Sequence, residues 1–178
     1  MFQRLLVLAV ALVGFSTAAF AQDTTSPEHR PMGPLYISQG HMEVGGSGMY
    51  TTDARGGGWN LMLSPKLEYF VLNRFSVGGT VSYTDSKNAS SEFQIGPSIT
   101  YYLTHTSKWA ISIDQSVRYA KREVGDNYVA GQTGLAFDYF FTESIAFGPS
   151  VSALYSFNGD ETAPVDATRF ALNFSLFL

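Results

Sequence analysis

The sequence predicts an all-β protein, an eight-stranded antiparallel transmembrane up-and-down β-barrel, and three observations predict it. The first is the stretch Arg169 to Leu178. Phe170, Leu172, Phe174, Leu176 and Leu178 fall on one face of a strand, and Arg169, Ala171, Asn173 and Ser175 on the other, with Phe177 the one apolar exception. The second is that this period-two pattern recurs along the chain between turn signals. The third is that the polar faces are Ser, Thr, Gly, Ala, Asn and Gln, with few charges. A last strand with an unpaired edge is a sticky template, and in a membrane the solution is to close onto the first strand.

Composition agrees. Charged residues make up 15% of the 178 residues, against roughly 25% in average soluble domains. The 14 Phe, 10 Tyr and 17 Gly suit many strands joined by tight turns. A formal charge of −4 argues against nucleic acid as a partner, which requires clustered Lys and Arg. The chain has no Cys, which excludes disulfides, thiol catalysis and cysteine metal sites.

In chain order, Arg4, the apolar run Leu5 to Phe15 and Ala19-Phe20-Ala21 read as a cleavable signal peptide over 1–21, which implies export. Residues 22–34, with three prolines, read as a flexible periplasmic leader, and 35–178 as the barrel. A first strand is expected over about 36–50, with Met42, Val44 and Tyr50 on one face and a register blurred by Gly45, Gly46 and Gly48. The second strand alternates from Trp59 to Tyr69 and the third from Phe75 to Tyr83. The fourth alternates from Phe93 to Leu103, and the fifth carries Trp109, Ile111, Ile113, Val117 and Tyr119 on its apolar face. The sixth runs from Val129 to Tyr139 and the seventh from Ile145 to Tyr155. Short turns at 72–74, 104–107 and 142–144 alternate with longer polar loops at 51–58, 84–91, 120–127 and 157–168. Outer-membrane barrels have that asymmetry, with short periplasmic turns and longer outer loops.

A soluble eight-stranded barrel also alternates, but it turns a charged face to water. Here the small polar face suits a narrow lumen filled by side chains. The apolar faces of the second to eighth strands show no charge, and one at the bilayer midplane costs roughly 2–4 kcal/mol. Rings collect at the ends of that face. Tyr50, Trp59, Tyr83, Tyr119 and Tyr155 form an expected outer girdle, and Tyr69, Phe75, Tyr101, Trp109 and Tyr139 an inner one. Pro65, Pro97 and Pro149 run against the pattern, since a closed barrel offers no free edge for a residue lacking an N–H.

The signal peptide, the alternating strands, Gly96-Pro97-Ser98 and Gly148-Pro149-Ser150, and the terminal strand together resemble the small OmpA/OmpX-like outer-membrane β-barrel domains. The resemblance implies residence in the outer membrane of a Gram-negative bacterium, with lipid and lipopolysaccharide as surroundings. It also implies that Phe170, Leu172, Phe174, Leu176 and Leu178 serve as the signal for the barrel-assembly machinery, although Leu178 stands where the family usually ends in Phe or Trp. No peptidoglycan-binding domain of the OmpA type is expected.

The expected lumen charges are Lys66, Glu68, Glu92, Asp114, Arg118, Asp138 and Arg169. Pairing through a turn at 104–107 sets Glu92 opposite Arg118, an ion pair able to plug the lumen or, by exchanging partners, to gate it. The plainer reading is that these groups fill and rigidify the barrel, since eight strands leave room only for side chains. Catalysis by lipid-modifying barrels needs a hydroxyl beside a base. His29, His41 and His105 fall in the leader, near the first strand and in an inner turn, so no catalytic residue is expected. The glycines at 45–48 and 56–58 lack the Lys and helix of a phosphate loop. Asp160, Glu161 and Asp166 form an acidic outer loop, read as solvated in preference to a divalent-cation site, and no metal or cofactor is expected. The function expected is a structural or surface-interaction role. The alternatives are a narrow or gated porin-like channel and, more remotely, a lipid-modifying enzyme.

Overall fold

A computed structural model describes residues 37–52, 58–87, 89–123, 127–157 and 167–178. The expected signal peptide, leader and acidic outer loop lie outside the described residues. Eight strands run in sequence: β1 (Met42–Thr52), β2 (Trp59–Leu72), β3 (Phe75–Ser86), β4 (Ala89–His105), β5 (Trp109–Arg122), β6 (Tyr128–Phe140), β7 (Ile145–Ser156) and β8 (Ala167–Phe177). Each pairs antiparallel with its sequence neighbours, and β8 returns to β1 to close the barrel. The closing seam runs from Glu43 opposite Phe177 to Gly48 opposite Leu172, and Met42 and Leu178 exchange backbone hydrogen bonds of 2.9 and 2.8 Å. Closure gives every strand a partner on both edges, so none is left wholly free to template aggregation.

Two boundaries differ from expectation. Residues 37–41 are a bend and turn leading into β1, docked on the β2–β3 turn: Gly40 N–H donates to Phe70 O at 3.0 Å and Arg74 N–H to Ile37 O at 3.3 Å. Gly40 has φ +94°, a conformation that L side chains rarely adopt and that a strand at this point would forbid. The expected loop at 84–91 is mostly strand, because β3 continues to Ser86 and β4 begins at Ala89. Its polar residues extend the ladder beyond the apolar belt, where alternation no longer signals strand.

At the opposite end, Thr106 and Thr142 fold the β4–β5 and β6–β7 connections. Each Oγ1 accepts hydrogen bonds from the backbone N–H groups two and three residues on, at 3.1–3.3 Å.

The three prolines are accommodated by one device. Each sits in a strand that keeps its ladder to one neighbour: Pro65 opposite Gly46, Pro97 opposite Gly79, Pro149 opposite Leu172. On the other side the pairing lapses for two residues and resumes in the same register, between Leu63 and Lys66, Ile95 and Ser98, and Tyr139 and Ala136 opposite β7. The missing N–H thus falls at a gap in the ladder. Gly96 and Gly148 permit the local approach, since a Cβ there would lie 2.0 Å from Val117 O and 1.7 Å from Phe137 O.

Alternation sorts the side chains into two environments. Outward, the strands carry an exposed apolar belt that includes Val44, Leu63, Leu67, Ile95, Leu135, Phe170 (72% exposed), Leu172 and Phe174. Inward, buried serines, threonines and charges fill the centre. The end holding the three inner turns is closed by rings. Phe177 packs against Phe70, Tyr102 and Phe140 at centroid distances of 6.3, 6.3 and 5.4 Å, with Ile37, Ala110 and Ala146 completing the cluster. Phe177, the apolar exception on the polar face of the last strand, is the centre of this floor.

Candidate functional site

The interior charges form three tiers between the aromatic floor and the opposite rim. The lowest rests directly on the floor. Lys66 Nζ lies 2.8 Å from Glu43 Oε1 and 3.6 Å from Glu68 Oε2. The Tyr102 and Ser175 hydroxyls donate to Glu43 at 2.9 and 2.7 Å, and those of Ser76 and Ser98 to Glu68 at 2.7 Å each. Both carboxylates are out of solvent, and every carboxylate oxygen has a donor, which is the condition for burying such charges. Glu43 is absent from the charges expected from sequence, although it is the hub of this tier. The glycines of β1 blurred its register. Yet the outward setting of Met42 and Val44 carried the signal, because a strand places the residue between them on the opposite face.

The middle tier comprises Asp114, Arg118 and Arg169, with Asp138 lower, opposite the floor residue Ala110; all four border a cavity of about 70 Å³ that Lys66, Glu68, Ser116 and Gln132 also line. Arg118 donates to Gln132 Oε1, and the Gln132 amide donates to Asp114 Oδ2 at 3.5 Å. Gly134 makes room for Asp114, since a Cβ there would lie 2.3 Å from Asp114 Oδ1. None of these four charges has an ion pair within 4.0 Å among the described residues. Arg118 Nε and Asp138 Oδ1 are buried with no hydrogen-bond partner.

At the rim, Glu92 Oε2 accepts from Arg122 Nε at 2.9 Å, and the Arg122 guanidinium lies over the Tyr128 ring, 4.4 Å from its centroid. Tyr128 donates to the other oxygen, Glu92 Oε1, at 2.8 Å, and Gln94 donates to Oε1 as well. This overturns the expected pairing of Glu92 with Arg118. The β4–β5 connection is centred on 106–108, with a bulge between Tyr102 and Thr104, so Glu92 stands opposite Arg122, four residues along β5 from Arg118.

Of the ten residues expected in girdles, Tyr50, Tyr69, Tyr83, Tyr119 and Tyr139 are exposed, and Trp59, Phe75, Tyr101, Trp109 and Tyr155 are half-buried. They include two cross-strand ring pairs, Phe75 opposite Tyr101 and Trp109 opposite Tyr139. Four of the five closing-strand residues, Phe170, Leu172, Phe174 and Leu178, are exposed, and Leu176 is half-buried. His41 is bonded to Ser38 Oγ at 3.0 Å, and His105 ends β4 with a buried, unpartnered Nδ1. His29 lies outside the described residues. No group of three or more His, Asp or Glu is placed to hold a metal among the described residues.

Residues 44–177, from the first strand to the last, match the family described as "Protein of unknown function, DUF481". The chain belongs to the DUF481 family. No curated protein sequence matches it significantly. Among solved structures, this DUF481 chain is similar to the N-terminal β-barrel domain of Pseudomonas aeruginosa OprF. The two share 12% identity and a TM-score of 0.59, over 79% of this chain and 98% of that one. Lesser likenesses are to a de novo designed transmembrane β-barrel (12% identity, TM-score 0.49, 79% and 98% covered) and to the outer membrane protein OprG of P. aeruginosa (15%, 0.48, 78% and 95%). The OprF likeness concerns the fold: a DUF481 chain builds the same kind of closed eight-stranded barrel.

Proposed function

We propose that this DUF481 protein is an integral outer-membrane barrel of a Gram-negative bacterium, close in kind to the small OmpA/OmpX-like barrels. Its role is structural or surface-interactive, and its interior is filled and non-conducting. The observation that carries the reading is the floor: four interlocked rings and Ile37 lie beneath a fully hydrogen-bonded Glu43–Lys66–Glu68 tier. An ion crossing the barrel would have to part both. Residence in the membrane rests on the exposed apolar belt with its outward rings, a surface far larger than soluble monomers leave uncovered. The surroundings of that belt are outer-membrane lipid and lipopolysaccharide, and β8 presents the in-phase apolar residues that the barrel-assembly machinery reads.

The test is planar-bilayer conductance of the refolded mature protein beside a Phe177→Ala variant. Silence from the wild type is the expected result. The variant, which removes the ring at the centre of the floor, is expected to show brief openings. Steady wild-type current would overturn the filled-lumen reading in favour of the narrow or gated channel, for which the 70 Å³ cavity is the starting space.

A further inference from the structure

The closing seam is shorter than the two strands that form it. β1 and β8 pair from Glu43 opposite Phe177 to Gly48 opposite Leu172, and among the described residues the pairing goes no further. Residues 49–52 of β1 and 168–171 of β8 are still strand, held from behind by β2 and β7. Continued at the same register, the seam would set Tyr50 against Phe170 and Thr51 against Arg169, yet these are unpaired. Tyr50 and Phe170, 64% and 72% exposed, are the most exposed large apolar residues of the described strands. The wall therefore has a slot beside the outer girdle, at the end of the longer loops.

Unpaired backbone at membrane depth is tolerated only where it is buried in protein or lines a cavity. A cavity lies behind this slot: Ser47 on β1, and Arg169, Ala171 and Asn173 on β8, line the same space as Arg118. Arg118 is 1% exposed and its Nε has no partner. Arg169 makes no ion pair among the described residues, and the two guanidinium groups are within electrostatic reach of each other. The carboxylates of the interior are committed or lower. Glu92 is held by Arg122, Tyr128 and Gln94. Asp114 is four residues down β5 from Arg118, about 13 Å of strand, and Asp138 lies lower still, opposite Ala110.

We propose that the slot between β1 and β8 admits a long-chain carboxylate from the outer leaflet, its head group bound by Arg169 and Arg118 inside and its chain left outside against Tyr50 and Phe170. The proposal rests on the membrane reading above. Size selects the head group: about 70 Å³ is little more than two water volumes of about 30 Å³, enough for a carboxylate and too small for a phosphorylated sugar. A guanidinium fork matches a carboxylate with two parallel hydrogen bonds. An added peptide strand would satisfy the backbone but leave both guanidinium groups without a counter-ion.

Trp59, opposite Thr52, stands beside the slot, and Trp109 begins β5 at the other end. In a Trp109→Phe background Trp59 is the reporter. The mature protein is refolded into phosphatidylcholine vesicles, checked for co-flotation and a heat-modifiable gel band, and titrated at alkaline pH with dibromostearate, whose bromines quench tryptophan. Saturable quenching at one acid per barrel is expected, with the methyl ester quenching only in proportion to its amount in the bilayer. Arg169→Gln should need about tenfold more acid, the loss of one charge-assisted contact. Laurate should displace the probe and dodecyl phosphate should not. The slot is tested separately with single cysteines, since the chain has none. A lipid-soluble maleimide should label Ala171→Cys, at the slot, and spare Ala120→Cys, which is buried behind a wall paired on both sides.

Equal quenching by acid and ester, or no change in Arg169→Gln, overturns the site. Equal displacement by dodecyl phosphate overturns the choice of a carboxylate. Equal labelling of the two cysteines, or of neither, overturns the slot. All of these leave the membrane reading intact, whereas failure to float overturns that reading and the proposal with it.

Discussion

Replacing Lys66 by Met removes the one cation of the lowest tier and leaves Glu43 and Glu68 facing each other out of water. At 2.8 and 3.6 Å, and with an effective dielectric constant of about 20, the two attractions lost are about 6 and about 5 kcal/mol. The desolvation of the ammonium, which the variant no longer incurs, offsets much of this. The net expected loss is about 3–5 kcal/mol, as for other buried ion groups stripped of one member. The hydroxyl donors from Tyr102, Ser76, Ser98 and Ser175 remain, which argues for the lower part of that range. The assay is urea unfolding of protein refolded in lipid vesicles, followed by the fluorescence of Trp59 and Trp109. Adding Glu43→Gln to Lys66→Met should recover at least half of the loss, because one of the two stranded charges is gone. Arg122→Ala is the control: its side chain is 45% exposed at the rim, and its pair with Glu92 should contribute within about 1 kcal/mol. A loss below about 1 kcal/mol in Lys66→Met, or a double variant less stable than the single one, would refute the view that this tier is an electrostatic unit.

Two further outcomes are expected. Gly148→Ala places a Cβ 1.7 Å from Phe137 O and should destabilise the barrel by about 1–3 kcal/mol in the same unfolding assay, whereas Gly79→Ala, whose Cβ would meet its nearest atom at 3.6 Å, should change stability by under about 0.5 kcal/mol. Equal effects would dismiss the close-approach account of the Gly-Pro gaps. Leu172→Arg puts a charge at mid-strand in the exposed belt, and in vesicles it should cost about 2–4 kcal/mol. A neutral result there would place that face in water.

What the sequence determined by itself was the periodic part of the protein. Alternation over Trp59 to Tyr69, or Phe170 to Leu178, is a local property, because each side chain's face follows from its neighbour's. Strand number and order could therefore be read without coordinates. Tertiary structure alone decided what depends on register and on meetings across the lumen. Glu92 faces Arg122 in place of Arg118 because the connection at 106–108 and the bulge before Thr104 shift β5 along β4, and neither has a periodic signature. Glu43 became the hub of the lowest tier because Lys66, Tyr102 and Ser175, from three other strands, converge on it. Phe177 breaks the alternation of its own strand, and Ile37 precedes the first one. Only the closed barrel shows that both are there to seal it: a floor is made by residues distant in sequence, and burial, unlike alternation, is not encoded in any one segment.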